Sequence, residues 1–369
     1  MTNAPHLSRS LSPKPAAPCV PQLITPRAPL SSYFCKVRIG AVTIGEGDVP
    51  PLFLAPMEDV SDAAFRRLCR EMGADAVVTE FISSEALIRQ VAKSWNKARF
   101  GETERPIGIQ IFGHDEQVMR EAARLIEAVQ PDWLDINYGC PVSKVVCKGA
   151  GAGILRDIDR MEYLTRQIVE ATSLPVTVKT RLGWDASSIR IVEVAHRLQA
   201  VGIAALAVHA RTKADGYSGS ARWEWIGRLK ADPTITIPII GNGDITDAPT
   251  AYHLYNTYKP DALMIGRAAI GYPWIFREIK HYFRTGTLLP PPSLEERLEV
   301  IHRHLRYGLE LLPQPPEKTV IEMRKHYGGY FRGIPNAKQY RLRLMEACTP
   351  TELLKALDEI KKAALPVQA

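Results

Sequence analysis

Residues 176–212 read VTVKTRLGWDASSIRIVEVAHRLQAVGIAALAVHART. Two β-rich runs, Val176–Thr180 and Ala205–His209, flank a segment with helical spacing over Ile189–Ala200. Strand, helix and strand in that order make a parallel unit, because the chain must cross back over the sheet before the next strand can run the same way. The rhythm continues outward in both directions. Upstream lie Leu52–Pro56, Ala76–Thr79, Ile107–Phe112 and Trp133–Asn137, with helix-spaced stretches at Ala63–Met72 and Glu116–Val129. Downstream lie Pro238–Asn242 and Ala262–Gly266. Eight such runs before residue 285 predict an α/β fold of the closed (β/α)8 TIM-barrel type, with an open doubly wound sheet as the rival.

Beyond Gly286 no strand-like run follows. Leu288–Pro292 reads as a proline-rich hinge, and Ser293 with Glu296 as a capping box. Leu294, Leu298, Ile301, Leu305, Leu309 and Leu312 then share one helical face that Pro313 ends. Further helices are expected over about 318–327, from Asn336, and from Thr349-Pro350. The predicted organisation is a disordered Pro-rich tail (1–35), a barrel (36–288) and a small all-helical C-terminal domain (289–369).

Composition excludes several classes. No apolar run approaches the roughly 18 residues that span a bilayer, and the first 30 residues lack the apolar stretch of a secretory signal. The six cysteines include no Cys-x-x-Cys pair, which fits neither a disulfide framework nor a zinc site. A reducing cytoplasm is the expected setting, with no metal, no membrane contact and no obligatory protein partner. The net charge of +7 is concentrated. Between Lys318 and Arg343, seven Lys or Arg face the single acid Glu322, a local +6.

Barrel enzymes carry their chemistry at the C-terminal strand ends. Those ends hold Pro56-Met57, Glu80, Gln110, Asn137, Lys179 with Arg181, His209 with Arg211, Asn242-Gly243-Asp244, and Gly266-Arg267. The last two sets follow strands seven and eight, where barrels commonly bind phosphate through glycine backbone N–H groups and a charged fork. A phosphate-bearing ligand is expected there. Lys179 suits either a Schiff base with a carbonyl substrate or charge stabilisation on a cofactor ring. Cys140, on a Gly- and Pro-flanked loop after strand four, suits a nucleophile or a proton donor. Gly149, Gly151 and Gly153 miss the spacing of a dinucleotide-binding fingerprint.

At these residues the chain resembles the tRNA-dihydrouridine synthases, most closely their bacterial B-type branch. The resemblance rests on Leu-Ala-Pro-Met-Glu-Asp-Val-Ser-Asp (54–62), Ile-Gln-Ile-Phe-Gly (109–113), Asp-Ile-Asn-Tyr-Gly-Cys-Pro (135–141), Val-Lys-Thr-Arg-Leu-Gly-Trp (178–184), Val-His-Ala-Arg-Thr (208–212), Gly-Asn-Gly-Asp-Ile-Thr (241–246) and Met-Ile-Gly-Arg-Ala (264–268). It implies reduction of the C5–C6 double bond of specific uridines in tRNA, with FMN in the barrel mouth and NADPH, or NADH, as reductant. It implies that Pro56, Met57, Glu58, Gln110, Lys179, His209, Asn242, Gly243, Asp244, Gly266 and Arg267 contact the flavin. Cys140 would protonate C5 as general acid. Asn137, Arg181 and Arg211, with His209, would grip the flipped uridine, and Lys144, Arg324 and Lys325 would meet the tRNA. Ser143 and Glu58 depart from the family's usual residues at their positions.

The basic stretch interleaves Arg324, Lys325, His326, Arg332, Lys338, Arg341 and Arg343 with Tyr327, Tyr330, Phe331 and Tyr340. Cations that neutralise phosphates beside aromatics that stack on bases would suit RNA. Three other readings stay open from the residues alone: an FMN barrel oxidoreductase acting on a free pyrimidine or small enone, a Lys179 aldolase, and a non-catalytic RNA-binding barrel.

Overall fold

A computed structural model of the chain describes residues 35–364. The Pro-rich tail, apart from Cys35, and the last five residues lie outside the described residues. An antiparallel hairpin comes first, β1 (Cys35–Ile39) and β2 (Val42–Gly47). The barrel strands follow: β3 (Leu52–Leu54), β4 (Ala76–Val78), the two-residue β5 (Ile82–Ser83), β6 (Ile107–Phe112), β7 (Trp133–Tyr138), β8 (Val176–Arg181), β9 (Ala205–His209), β10 (Ile239–Asn242) and β11 (Ala262–Ile265). Every pairing among them is parallel, and β3–β11 with β4–β6 closes the ring. The eight expected strands are all present, each within about two residues of its predicted span. Sequence reading missed the hairpin and β5.

Helices surround the ring, so the strands are buried on both faces and read as near-continuous apolar runs. Their outward residues, such as Leu54, Ile109, Ile136, Val178 and Val208, meet the helices in one large apolar layer. Their inward residues form a second cluster, with Phe53, Val78, Trp133, Ile240 and Met264 filling the lumen. Trp133 occupies the space that a side chain at 108 would need: a Cβ on Gly108 would stand 2.2 Å from the indole nitrogen. Val37, Ile39 and Ile44 of the hairpin join this inner cluster, and so close the N-terminal end of the barrel. Lys280 fastens the hairpin by pairing with Glu46 at 2.8 Å and with Asp75 at 2.7 Å.

The chain then forms helices at Leu294–Leu311, Pro316–Met323, Ala337–Glu346 and Pro350–Ala364, with short helical turns between 324 and 330. Ser293 caps the first as expected, accepting the Glu296 N–H at 3.2 Å. These helices share their apolar layer with the barrel's own. Phe65 of the helix Ala63–Glu71 sits against His326 and His304, with ring centroids 4.6 and 5.8 Å apart. Glu71 accepts from Tyr307 at 2.7 Å and pairs with Arg303 at 3.1 Å. Backbone meets backbone at a glycine seam: a Cβ on Gly271 would lie 1.9 Å from the His326 carbonyl oxygen, and one on Gly329 would lie 2.1 Å from that of Ile270.

Candidate active site

The strand ends bring Gln110, Asn137, Lys179, Arg181, His209, Asn242 and the loop carrying Cys140 to one mouth. Cys140 is 7% exposed. Asn137, three residues upstream, folds over the turn: its Oδ1 accepts the N–H of Gly139 at 3.0 Å and of Cys140 at 2.9 Å. Burial pushes the Cys140 thiol above its ordinary pKa, against the opposing pull of the Val142 backbone and of Arg181 and Lys179. At neutral pH it is a thiol, a donor. Cys147 lies exposed beyond it, and Lys144 is exposed on the same loop.

Beneath Asn137 the lumen turns polar. Asn137 Nδ2 donates to Gln110 Oε1 at 2.8 Å, and Gln110 Nε2 donates to Asp135 Oδ2 at 2.6 Å. Asp135 also accepts from the Thr177 hydroxyl at 2.5 Å, and burial raises its pKa to about 6. Lys179, half-buried on the neighbouring strand, makes no side-chain hydrogen bond to a described residue. Burial, then Arg181, lowers its pKa to about 8, while Asp135 acts in the opposite sense. Burial, followed by the cations Lys179, Arg181, Arg211 and Arg267, drives His209 far below its ordinary value, so its imidazole is neutral.

Two of the arginines expected at the substrate are largely engaged in holding the loop 212–219. Arg181 donates to the carbonyls of Gly139 (2.8 Å), Thr212 (3.0 Å) and Gly216 (2.9 Å). Arg211 donates to Ser218 (3.2 Å), Gly219 (2.6 Å) and the Asp244 carboxylate (2.7 Å). The loop they hold carries Tyr217, which sequence reading did not single out. Its ring is 59% exposed, with its centroid 6.2 Å from that of His209 and 4.7 Å from the Arg267 guanidinium carbon. An exposed aromatic on a loop between two glycines was the available signal.

At β10 and β11 the backbone N–H groups of Gly243, Asp244, Gly266 and Arg267 have no hydrogen-bond partner among the described residues. Unpaired N–H groups beside a half-exposed guanidinium make a cradle of donors suited to an anion. The Asp244 carboxylate is already committed: it accepts from Ala221 at 2.8 Å and pairs with Arg211 and Arg267, so only its backbone offers anything to an anion. Asn242 Nδ2 ties β10 to the Met264 carbonyl at 2.7 Å. Met57, which follows Pro56, lies beside this cradle: its Sδ would be 3.7 Å from a Cβ on Gly266. Glu58 points outward and pairs with Lys97 at 2.6 Å. Glu58, Asp59 and Glu80 could bring three carboxylate oxygens within metal-binding reach, but Lys97 already pairs with two of them, Glu58 and Glu80.

The basic stretch differs from expectation. Tyr327, Tyr330 and Phe331 are fully buried and Tyr340 packs on Phe331, so none of the first three is a stacking platform. Arg324 donates to the Ala347 carbonyl at 2.9 Å, and Lys325 to that of Asp59 across the junction with the barrel. Lys338 and Arg341 are exposed and make no ion pair or side-chain hydrogen bond to a described residue. A cleft of about 270 Å³ opens between barrel and helical region, lined by Asp59, Lys97, Gln314, Lys318 and Lys325 among others.

The chain is similar to proteins of one family. Residues 53–365 match the family model described as dihydrouridine synthase (Dus). The tRNA-dihydrouridine synthase B of Pseudomonas putida is 41% identical over 313 residues, covering 83% of this chain and 89% of that protein. A probable tRNA-dihydrouridine synthase 1 of Synechocystis is 34% identical over 340 residues, covering 92% and 93%. Among solved structures, histamine dehydrogenase from Rhizobium superposes with a TM-score of 0.50 at 13% identity, over 75% of this chain. A 2-naphthoyl-CoA reductase gives 0.51 at 11% over 68%. This chain spans about half the length of each of those two, and the likeness is one of fold.

Proposed function

The chain belongs to the dihydrouridine synthase family, and from that premise we propose that it reduces the C5–C6 double bond of uridines in tRNA, with FMN in the barrel mouth, NADPH as electron donor and Cys140 as proton donor. The observation that carries this reading is a buried thiol on the loop over the same mouth as four unpaired backbone N–H groups at β10 and β11.

FMN fits the residues present. The cradle at Gly243, Asp244, Gly266 and Arg267 suits one phosphate, and Pro56 and Met57 offer an apolar wall. Gln110 and Lys179 offer donors to the pyrimidine edge of the ring. When bound, the flavin supplies the hydride that uracil C6 receives. Cys140 holds the proton for C5, and its raised pKa keeps that proton in place until the carbon becomes basic. Lys179 places positive charge where the reduced ring would carry negative charge. Neutral His209 offers one N–H and one lone pair to the base without adding charge. Arg181 and Arg211 act mainly by holding the loop of Tyr217 over the mouth. A uridine must leave its stack to reach a thiol at this depth.

The helical region (289–369) serves as the tRNA-binding domain in this reading, through outward cations such as Lys338 and Arg341. No helix among the described residues is long and apolar enough to cross a membrane, and a cytoplasmic site of action suits an enzyme of tRNA. The test is direct. Purified protein should release FMN, not FAD, on denaturation, and with NADPH should form dihydrouridine in tRNA taken from a strain lacking this chain. No dihydrouridine, or FAD in place of FMN, overturns it.

A further inference from the structure

Five groups inside the barrel form one unbroken line of hydrogen bonds. It starts at the Gly139 and Cys140 N–H groups, passes through the amides of Asn137 and Gln110, and ends on the Asp135 carboxylate, which Thr177 supports. Gln110, Asn137, Asp135 and Thr177 are all buried. Asp135 lies two residues below Asn137 on β7, about 7 Å deeper in the lumen, on the same face of the strand.

An amide has a donating end and an accepting end of nearly equal shape, so its neighbours decide which way it points. The upper end of this line is two backbone N–H groups, which only donate. The lower end is a carboxylate, which when ionised only accepts. Between these fixed ends only one assignment pairs every donor with an acceptor, and turning either amide would set N–H against N–H or oxygen against oxygen. Buried mismatches of that kind are costly, because each leaves a polar group without the partner that water would supply. The same polarity leaves the spare hydrogens of Gln110 and Asn137, not a bare oxygen, to meet carbonyl acceptors of a ligand at the mouth.

We propose that Asp135 is a positioning residue: from the floor of the lumen it sets the orientation of Gln110 and Asn137 and, through them, the turn that presents Cys140. This deepens the proposed function and rests on it for the role of Cys140 as proton donor. Asp135 is not catalytic itself, since it reaches Cys140 only through two other side chains.

The line predicts a non-additive pair. Asp135→Asn alone keeps the polarity, because the new amide can accept from Gln110 while donating to the Thr177 hydroxyl, which accepts as readily as it donates. Thr177→Val alone keeps it too, because the carboxylate remains. Combining them strands the new N–H₂ group and removes the fixed lower end. The readout is iodoacetamide labelling of the protein as purified, followed cysteine by cysteine by mass spectrometry. Each single variant should label Cys140 within about twofold of the parent, whereas the double should label it about fivefold faster than the product of the singles, a coupling in the range expected of touching residues. Fully buried Cys69 reports general loosening and should stay unlabelled throughout. An additive double, or Cys69 labelling in step with Cys140, overturns the proposal. Should the double fail to fold, Asp135→Leu, which removes the lower acceptor outright, decides: faster hydrogen exchange at the Gly139 and Cys140 amides than in Asp135→Asn supports the proposal, and equal exchange overturns it. Labelling needs no turnover, so failure to reduce uridine would sink the proposed function while leaving this test intact.

Discussion

The barrel mouth and the basic stretch of the helical region both stand out in the sequence as concentrations of polar and charged residues, yet they fold to different ends. At the mouth, position along the chain fixes direction. Side chains alternate in and out along a strand, and the C-terminal end of a barrel strand opens on one place, so Gln110, Asn137, Lys179 and His209 meet there. In the stretch 318–343, charge counted along the chain carries no direction. His326, Tyr327, Tyr330 and Phe331 turn inward, His326 against Phe65 of the barrel, and Arg324 and Lys325 brace backbone carbonyls. A local charge of +6 thus leaves fewer free cations than its count suggests.

The largest expected effect tests the mouth. Cys140→Ala should keep its flavin and the reduction of that flavin by NADPH, yet lose about 10²- to 10⁴-fold in uridine reduction under single-turnover conditions. Cys147→Ala should be near normal, and a near-normal Cys140→Ala would move the acid elsewhere. Next comes the helical junction: Tyr330→Ala, at a fully buried ring, should cost about 3–5 kcal/mol by denaturant unfolding. An outward stacking residue would cost little, so a small loss would restore the RNA-stacking role that the structure removes.

Two smaller effects sharpen the contrast. Lys179 has its pKa lowered to about 8 from 10.5, so its charge is present below about pH 8 and lost above it. Flavin reduction that leans on this charge should decline as pH rises through about 8, and Lys179→Met should lack that inflection. Its folded pKa lies below its unfolded one, so between those values the unfolded chain binds the extra proton. This group should therefore make stability rise with pH across that window, compared with Lys179→Met. Finally, replacing Lys338 and Arg341 together by Ala should leave stability within about 0.5 kcal/mol. It should weaken tRNA binding and flatten its salt dependence, by about 0.7 to 0.9 in log–log slope for each phosphate no longer neutralised. An unchanged slope would leave the stretch a solvated face.

The legible part of the molecule was what repeats. Eight β runs with helices between them admit few topologies, and the glycines and arginine that follow strands seven and eight could be named in advance as backbone N–H groups left without partners. The hairpin Cys35–Gly47 is short and stands outside that repeat, so its alternating Val37, Ile39 and Ile44 carried no signal of where they would be buried. Asp135 stands in the Asp-Ile-Asn-Tyr-Gly-Cys-Pro motif, but nothing in Asp-Ile-Asn tells that the acid accepts from Gln110, a residue 25 positions away. Tyr217 depends likewise on Arg181 and Arg211 gathering its loop. Pairings set by the closing of the ring are invisible until the ring is closed.

The stopper made by Trp133 and the hairpin also governs traffic. With the far end of the lumen packed shut by described residues, whatever reaches the cradle and Cys140 must arrive and depart through one doorway. In the proposed reaction a nicotinamide donor and a folded RNA, which differ greatly in bulk, would both bring their reacting atoms to the same few ångströms. They must queue. Steady-state plots against one substrate at several fixed levels of the other should give parallel lines, and each in excess should inhibit by blocking the other's turn.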